Sequence, residues 1–190
     1  MVGDDHGMTS SDVTAVSEPT FMDLMMPVLY PATVQELFEY GLYGWALSRF
    51  CGAWVGFKAC PDTLDTVATV TIDKASPRIV IPDFGFPPDG VHIRVPDPWK
   101  LQEPRLRRYK MDAALTFSRA NRLNRVVVES RKPRFGIVTS GIAGLAVLEA
   151  LDSLGIDRKT AADLGITVLK MGMPHPFDND TVRNFATGLE

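Results

Sequence analysis

The distribution of proline constrains this 190-residue chain more than any other feature. Seven of its 14 prolines lie between positions 77 and 104. Each proline fixes φ and lacks a backbone N–H donor, so this stretch cannot form a central strand or a long uninterrupted helix. It can hold short edge strands, which we predict at 79–81 and 91–93. We therefore interpret 76–103 as an extended surface connector between two compact units, 1–75 and 104–190.

Composition narrows the class of protein. With 45% hydrophobic and 23% charged residues, the chain can bury an ordinary core and is not disordered. A net charge of −3 gives no argument for nucleic acid or an anionic membrane as partner. Cys51 and Cys60 are too few for a zinc or iron–sulfur site, which favours a reduced intracellular protein. Apolar runs are shorter than a membrane span and no signal peptide is recognisable, so we expect a soluble, cytoplasmic protein.

The first unit contains a well-marked helix. Thr33 and Glu36 match a capping box, in which the two side chains bond the free amides of the first turn. Phe38, Leu42 and Trp45 recur at helical spacing and are predicted to face the core. The neighbouring face consists of small residues: Gly41, Gly44 and Ser48. Two glycines weaken a helix, so we expect this face to pack closely against another backbone. Strands are predicted at 53–59 and 67–72.

The second unit alternates helices and strands. Pro104 is expected at the first turn of a helix over 104–121, whose apolar stripe is formed by Leu106, Tyr109, Ala113, Phe117 and Ala120. Strands follow at 125–129, 135–139 and 166–171, with helices at 142–154 and 158–164 and a last helix capped by Asp178. Short connections of this kind produce right-handed βαβ units. The sequence therefore predicts an α/β fold with a mainly parallel sheet. Both ends read as interrupted strands, which suggests a piece of a longer enzyme rather than a small domain with frayed termini.

A polar cluster at the start of the chain is the strongest candidate site. Two carboxylates, an imidazole and several hydroxyls follow a short strand, in the residues Asp4, Asp5, His6, Thr9, Ser10 and Ser11. Loops at the carboxyl ends of parallel strands commonly bind ligands, so the cluster is suited to a metal, a cofactor or a polar substrate. The alternative is that it is a polar chain start without a function.

Other motifs have simpler interpretations. The segment 136–141 forms a strand–turn–helix junction that suits a phosphate at a helix start, but a tight turn needing small residues is favoured. His175 lies in a rigid loop where α/β folds often bind ligands, and His92 is predicted to be a surface residue. The basic run of Arg105, Arg107, Arg108 and Lys110 is interpreted as a solvated helix face, with docking to an acidic partner as the alternative. The three tryptophans, Trp45, Trp54 and Trp99, are expected in the core or at an interface.

Several segments together resemble a known family. They are Gly3-Asp-Asp-His-Gly-Met-Thr-Ser-Ser11, Ser17-Glu18, and Met26-Pro-Val-Leu-Tyr-Pro-Ala-Thr-Val-Gln-Glu36. This succession resembles the thiamine diphosphate-dependent 2-oxoacid:ferredoxin oxidoreductases. The later segments 90–98, 135–141 and 185–190 are similar to the long, fused indolepyruvate ferredoxin oxidoreductases of bacteria. The resemblance is collinear and covers essentially the whole chain.

The resemblance implies an architecture and a set of cofactors. Residues 1–75 would be the last part of a pyrimidine-binding-type domain, and 104–190 would hold most of a transketolase-C-terminal-like parallel α/β domain. The whole enzyme would use thiamine diphosphate, magnesium and iron–sulfur clusters, with ferredoxin and CoA as partners, and would act as a homo-oligomer. The loop near the cofactor would be formed by Asp4, Asp5, His6, Ser10 and Ser11.

The chain also departs from the family pattern. It has no counterpart of the glutamate that activates the cofactor ring, no Gly-Asp-Gly diphosphate motif and no set of cluster-binding cysteines, and 11–17 differs from the expected continuation of the loop. We therefore expect a fragment of an indolepyruvate:ferredoxin oxidoreductase that is inactive by itself and does not bind the cofactors tightly. A stand-alone, non-catalytic interaction or regulatory module on the same scaffold is the alternative.

Overall fold

The computed structural model describes residues 1–73 and 76–190 as an α/β protein with two three-stranded sheets. In chain order the elements are β1 (Val2–Gly3), α1 (Glu18–Asp23), β2 (Val28–Leu29), α2 (Val34–Cys51), β3 (Gly56–Ala59), α3 (Pro61–Leu64), α4 (Trp99–Arg105), a π-helical turn (Leu106–Lys110), α5 (Met111–Ala120), β4 (Asn124–Val128), β5 (Phe135–Ser140), α6 (Ile142–Ser153), α7 (Arg158–Leu164), β6 (Ile166–Met171) and α8 (Asn179–Ala186). The α/β fold class predicted from the sequence is confirmed.

The first sheet is small and entirely parallel. Its order is β1-β3-β2, with Val2 opposite Lys58 and Val28 opposite Gly56. The strand predicted over 53–59 is present but shorter, because Trp54 is exposed and pairing begins only at Gly56. The strand predicted over 67–72 is wrong. Those residues have no regular secondary structure and are largely exposed, so nothing pairs with them as a ladder.

Helix α2 begins where its cap predicted. The Thr33 hydroxyl accepts a hydrogen bond from the Glu36 amide at 3.1 Å. The second hydrogen bond of a capping box, from the Thr33 amide to the Glu36 carboxylate, is replaced. The Glu36 carboxylate accepts from the Ala32 amide instead, at 2.9 Å. The helix ends at Gly52, whose φ of 68° is a left-handed conformation that suits glycine.

The core-facing side of α2 was predicted wrongly. Leu42 and Trp45 are 38% and 76% exposed, whereas the buried hydrophobic residues of the helix are Tyr40, Leu47 and Cys51. The helix carries apolar residues around most of its circumference, so periodicity alone does not choose a face. The choice is made by α5, which packs against the Tyr40–Cys51 side.

The second sheet has the order β4-β6-β5 and is joined by a helical crossover. Strands β5 and β6 are parallel, with Phe135 opposite Ile166, and α6 and α7 connect them. Strand β4 is antiparallel to β6, so this sheet is mixed rather than wholly parallel. Three of the four strand pairings in the described structure are parallel. Asp178 caps α8 as predicted, its carboxylate accepting from the Thr181 amide at 3.1 Å.

The long helical segment before β4 starts earlier than predicted. It begins at Trp99, so that Pro104 lies inside α4 instead of at a first turn. A proline at that position cannot donate the usual i→i−4 bond, and the π-helical turn Leu106–Lys110 follows directly. The predicted apolar stripe is largely confirmed, with Ala113 and Phe117 fully buried. The chain then reaches β4 through Leu123, which is also buried.

Two amide side chains hold extended backbone segments, one in the first unit and one in the connector, against the body of the protein. Gln35 bonds both backbone groups of Thr71, accepting from its N–H (2.8 Å) and donating to its carbonyl (3.2 Å). Asn121 makes the same pair of bonds to Val80, at 2.7 and 2.8 Å. These side chains replace a strand partner, and neither predicted edge strand, 79–81 or 91–93, forms. The predicted end of the first unit, at position 75, lies outside the described residues.

One hydrophobic core joins the two predicted units. Its buried members come from both: Leu29, Tyr40, Leu47 and Cys51 from the first, and Ala113, Ala114, Phe117, Leu123 and Met173 from the second. A buried ion pair crosses the same boundary, with Lys170 Nζ 2.5 Å from the Glu36 carboxylate. The two units are therefore packed as one body. None of the helices described here has the length and apolar character needed to cross a membrane.

Candidate functional site

The polar loop predicted as a site is closed by backbone pairing. Asp4 extends β1 by donating its N–H to the Ala59 carbonyl (2.9 Å). Asp5 then pairs with Ala15, each donating to the other's carbonyl at 3.1 and 3.2 Å. The loop between them is therefore an ordered structure at the carboxyl end of the first sheet. Order by itself assigns no role to the loop, so the alternative of a polar chain start without a function stays open.

The Asp5 carboxylate organises this loop from inside. One oxygen accepts from the Thr9 amide (2.7 Å) and hydroxyl, and the other from the Ser10 amide (2.8 Å) and the Ser11 hydroxyl (2.8 Å). Burial raises the pKa of Asp5, but the bonds from Ser10, Ser11 and Thr9 outweigh it and hold the pKa well below the usual range. Its oxygens are thus occupied by the loop, and Asp5 acts here as the loop's anchor.

Asp4 belongs to a buried charge cluster beneath the loop. Its carboxylate accepts from the Ser17 amide (2.8 Å) and hydroxyl and lies 3.3 Å from Lys58 Nζ. Lys58 also pairs with Glu18 and lies 4.5 Å above the Tyr30 ring. Burial raises the pKa of Asp4, while the bonds from Ser17 and Lys58 lower it by more, so the carboxyl stays ionised. The cluster ties the loop to the start of α1.

Tyr30, Cys60 and His6 form a chain of contacts from the interior to the surface. The Tyr30 hydroxyl is 3.2 Å from the Cys60 sulfur, which is 3.8 Å from Nδ1 of His6. Tyr30 and Cys60 are buried, whereas His6 is exposed. Burial raises the pKa of the Tyr30 hydroxyl and of the Cys60 thiol. Both groups are therefore protonated at neutral pH, and Cys60 is not an activated nucleophile.

The structure brings the loop against the second predicted motif, the turn before α6. Gly141 has a φ of 52°, and the Tyr30 ring occupies the space that a Cβ at this position would need. Only glycine fits there, which supports the interpretation of a tight turn. A cavity of about 110 Å³ lies between the two motifs, lined by the loop at 4–9, by 60–62 and by Ile142.

The predicted site residues thus divide by accessibility. Asp4 is paired below the loop, and Asp5 is saturated by it. Ser10 and Ser11 are exposed, yet their hydroxyls are directed to Asp5. His6 remains exposed at the edge of the cavity. Lys58, Tyr30 and Cys60 were missed, although a single lysine inside the buried strand 56–59 is a signal for a paired charge.

The remaining candidates lie elsewhere. The His175 carbonyl accepts from the Val28 amide at 2.7 Å, and its Nε2 is buried without a hydrogen-bond partner. Burial lowers the pKa of His175, so the ring is neutral at pH 7. His92 is exposed, as predicted. Lys110 was wrongly assigned to a solvated face, because it is buried and donates to the Gly52 carbonyl at 2.7 Å.

This cavity is too small to enclose a ligand of cofactor size. Drug-sized ligands need pockets of roughly 300–1,000 Å³, several times this volume. Of the three carboxylates that line the cavity, those of Asp4 and Asp5 are already bonded to the loop or to Lys58, and that of Asp62 is exposed. Within 1–73 and 76–190, no three His, Cys, Asp or Glu side chains converge into a metal-binding group.

Comparison with known proteins finds similarity to indolepyruvate oxidoreductases. Residues 125–190 match the family model described as the indolepyruvate oxidoreductase domain. The chain is 30% identical over 170 residues, 87% of its length, to a protein of Methanothermobacter marburgensis named indolepyruvate oxidoreductase subunit IorA. It is 27% identical over 195 aligned positions, across its full length, to the protein of the same name from Methanothermobacter thermautotrophicus. The chain spans 25% and 29% of the lengths of these two relatives.

Proposed function

We propose, from the premise that this chain is a relative of the indolepyruvate oxidoreductases, that it forms one wall of the cofactor cleft in a larger 2-oxoacid oxidoreductase. By this proposal it does not catalyse alone. The whole enzyme would convert an aryl 2-oxoacid and CoA into an acyl-CoA and CO2, and two electrons would pass through iron–sulfur clusters to ferredoxin. Thiamine diphosphate, held with magnesium, would supply the decarboxylation chemistry in that enzyme.

The size of the cavity is the observation that carries this proposal. A space of about 110 Å³ receives the edge of a ring but not a cofactor with a diphosphate tail. The remaining contacts would therefore come from other domains, which agrees with the chain spanning only 25% and 29% of its two relatives.

The hydrogen bonds within the loop support a role in lining the cofactor cleft rather than a role as a complete catalytic centre. Asp5 anchors the loop through five groups of Thr9, Ser10 and Ser11, so the loop backbone is preorganised. His6 is the one predicted site residue that projects from the loop unpaired with a carboxylate and exposed at the cavity. In this proposal His6 contacts the cofactor or the substrate, and Asp5 positions it.

The proposal is tested by assaying the chain by itself and together with the polypeptides encoded next to it. The purified chain, given indolepyruvate, CoA, thiamine diphosphate, magnesium and a viologen dye, should reduce no dye above the buffer rate. Co-expression with the neighbouring reading frames should produce turnover. His6→Ala in that assembly should lower activity at least tenfold, while His92→Ala, an exposed histidine elsewhere, should leave it unchanged.

Two results would overturn the proposal. Dye reduction by the isolated chain would show that it holds a complete site. Micromolar binding of thiamine diphosphate by the isolated chain, measured by calorimetry, would favour the stand-alone module instead, because one wall of a cleft offers too few contacts for that affinity.

A further inference from the structure

The imidazole of His6 contacts the protein through one of its two ring nitrogens. Nδ1 lies 3.8 Å from the Cys60 sulfur, a distance within the range of hydrogen bonds that involve sulfur. Among residues 1–73 and 76–190, no other group bonds this side chain. In a neutral imidazole one nitrogen carries the proton and donates, while the other accepts. The proton on Cys60 therefore decides whether the second nitrogen, Nε2, is a donor or an acceptor.

The Cys60 thiol keeps its proton. Cys60 is 1% exposed, and burial raises its pKa by more than the Tyr30 hydrogen bond and the charge of Lys58 lower it. A neutral thiol is a weak donor with a single proton, and two neighbours lie within reach of it. They are the Tyr30 hydroxyl, at 3.2 Å, and Nδ1 of His6. The direction of the thiol proton follows from what each neighbour can accept.

The Tyr30 hydroxyl donates to the Cys60 sulfur. Burial raises the pKa of Tyr30, and Cys60 raises it further, so the phenol is protonated. The Ile142 backbone amide acts in the opposite direction, as a hydrogen bond to the phenol oxygen does. Because its oxygen already has a donor, the phenol directs its own proton to Cys60, and the thiol proton goes to Nδ1 of His6. This order of phenol, thiol and imidazole leaves the His6 proton on Nε2, as a donor.

We infer that Cys60 is a positioning residue that holds His6 as a hydrogen-bond donor for an oxygen of the 2-oxoacid substrate. His6 and Cys60 both line the cavity of about 110 Å³, so the ring is fixed at its edge. The oxygens of an ionised 2-oxoacid are acceptors, which match Nε2–H and not a nitrogen with a lone pair. The identity of the ligand rests on the proposed function, whereas the tautomer is a property of this chain by itself. Asp5 thus holds the loop backbone, and Cys60 holds the ring.

The first test uses the full chain by itself and needs no activity. The ring nitrogens of its histidines are isotopically labelled and observed by NMR above the pH at which their signals stop moving. His6 should have its proton on Nε2, with the Nδ1 signal displaced from that of His92, the exposed histidine of the connector. A proton on Nδ1 would overturn the inference, because His6 would then donate to the sulfur and leave an acceptor at Nε2.

Two variants of Cys60 separate the hydrogen bond from packing. Cys60→Ala removes the donor, so the His6 Nδ1 signal should move to the value seen for His92. Cys60→Ser keeps a donor, and the exposed His6 ring can follow the shorter side chain, so the signal should stay displaced. Cys51→Ala, at the other buried cysteine, should leave the signal unchanged. Equal His6 Nδ1 signals in the wild type and in Cys60→Ala would overturn the inference.

The activity of the co-expressed assembly tests the ligand. Cys60→Ala should raise the KM for the 2-oxoacid roughly fivefold, as the loss of one ordinary hydrogen bond does, and should leave the half-saturating concentration of thiamine diphosphate unchanged. Cys60→Ser should restore the wild-type KM. An unchanged KM in Cys60→Ala, or an increase for thiamine diphosphate instead, would overturn the inference. An assembly without turnover would contradict the proposed function, and the tautomer of His6 would then decide the positioning role of Cys60 independently.

Discussion

Each of the two sheets buries a lysine in its middle strand, but the two lysines have different structural roles. Lys58 in β3 pairs with Asp4 and Glu18, which belong to its own unit. Lys170 in β6 pairs with Glu36, which belongs to the other unit. The same residue type in equivalent places therefore secures a loop in one sheet and joins two units in the other. The partner, and not the lysine, decides the role.

Loss of Lys170 should have the largest effect. Its side chain and that of Glu36 are 9% and 7% exposed, and removing one member of a buried ion pair costs about 3–5 kcal/mol. Lys170→Met should lower the free energy of unfolding by about 3 kcal/mol in urea titration. Adding Glu36→Gln should recover part of that loss, because no buried carboxylate is then left without Lys170, and Arg125 is exposed enough to be solvated. If the double variant lost the sum of the two single losses in free energy of unfolding, the ion pair between Lys170 and Glu36 would be contradicted.

Loss of Lys58 should cost less and act locally. Asp4 keeps its two bonds from Ser17, and Glu18 is 29% exposed and can be solvated. Lys58→Met should therefore lower the free energy of unfolding by about 2 kcal/mol. Limited proteolysis should show faster cleavage in 6–16 for this variant and not for Lys170→Met. Equally fast cleavage of 6–16 in Lys58→Met and Lys170→Met would contradict the claim that only Lys58 holds the loop.

Arg125 is the second cation that contacts the Glu36 carboxylate. Its removal tests which of the two ion pairs of Glu36 contributes more to stability. It lies 3.1 Å from the carboxylate but is 37% exposed, so solvent screens the pair. Arg125→Ala should cost less than about 1 kcal/mol, as partly exposed ion pairs do. A loss in free energy of unfolding equal to that of Lys170→Met would mean that Arg125 and Lys170 contribute equally to the stability gained at Glu36.

The smallest effect expected is the pH response of the loop. The pKa of Asp5 and that of Asp4 are both lowered in the folded chain, so their contribution to stability is present above the unfolded value of about 3.8 and is lost as pH falls through the lower folded values. The protection factors of the Thr9 and Ser10 amides, which compare the observed with the intrinsic exchange rate at each pH, should thus fall below pH 4. In Asp5→Asn these amides should exchange fast at every pH. Unchanged protection in that variant would contradict the anchor role.

Local signals predicted much of the framework. Thr33 and Glu36 located the start of α2, Asp178 located α8, and the strands and helices between 124 and 171 appear close to their predicted places. These features depend on caps and short-range periodicity, which are written in neighbouring residues. The polar loop was also recognised from its composition, although its function is still a prediction.

Contacts between residues far apart in the chain could not be predicted from such local signals. Residues 67–72, 79–81 and 91–93 look like strands, but pairing needs a partner, and two of these segments are held by the amides of Gln35 and Asn121 instead. Likewise, Tyr30 and Gly141 are far apart in the chain, so their fit was invisible before folding.

The sequence by itself determined the starts of α2 and α8 and most of the elements between 124 and 171, and it placed two carboxylates in a loop after a strand. Only the tertiary structure decided which side of α2 is buried, that the two units on either side of the connector share one core, and that the Asp5 carboxylate is bonded within its own loop. The physical reason is that capping and periodicity act over a few residues. Burial and charge pairing depend on which distant surfaces come into contact.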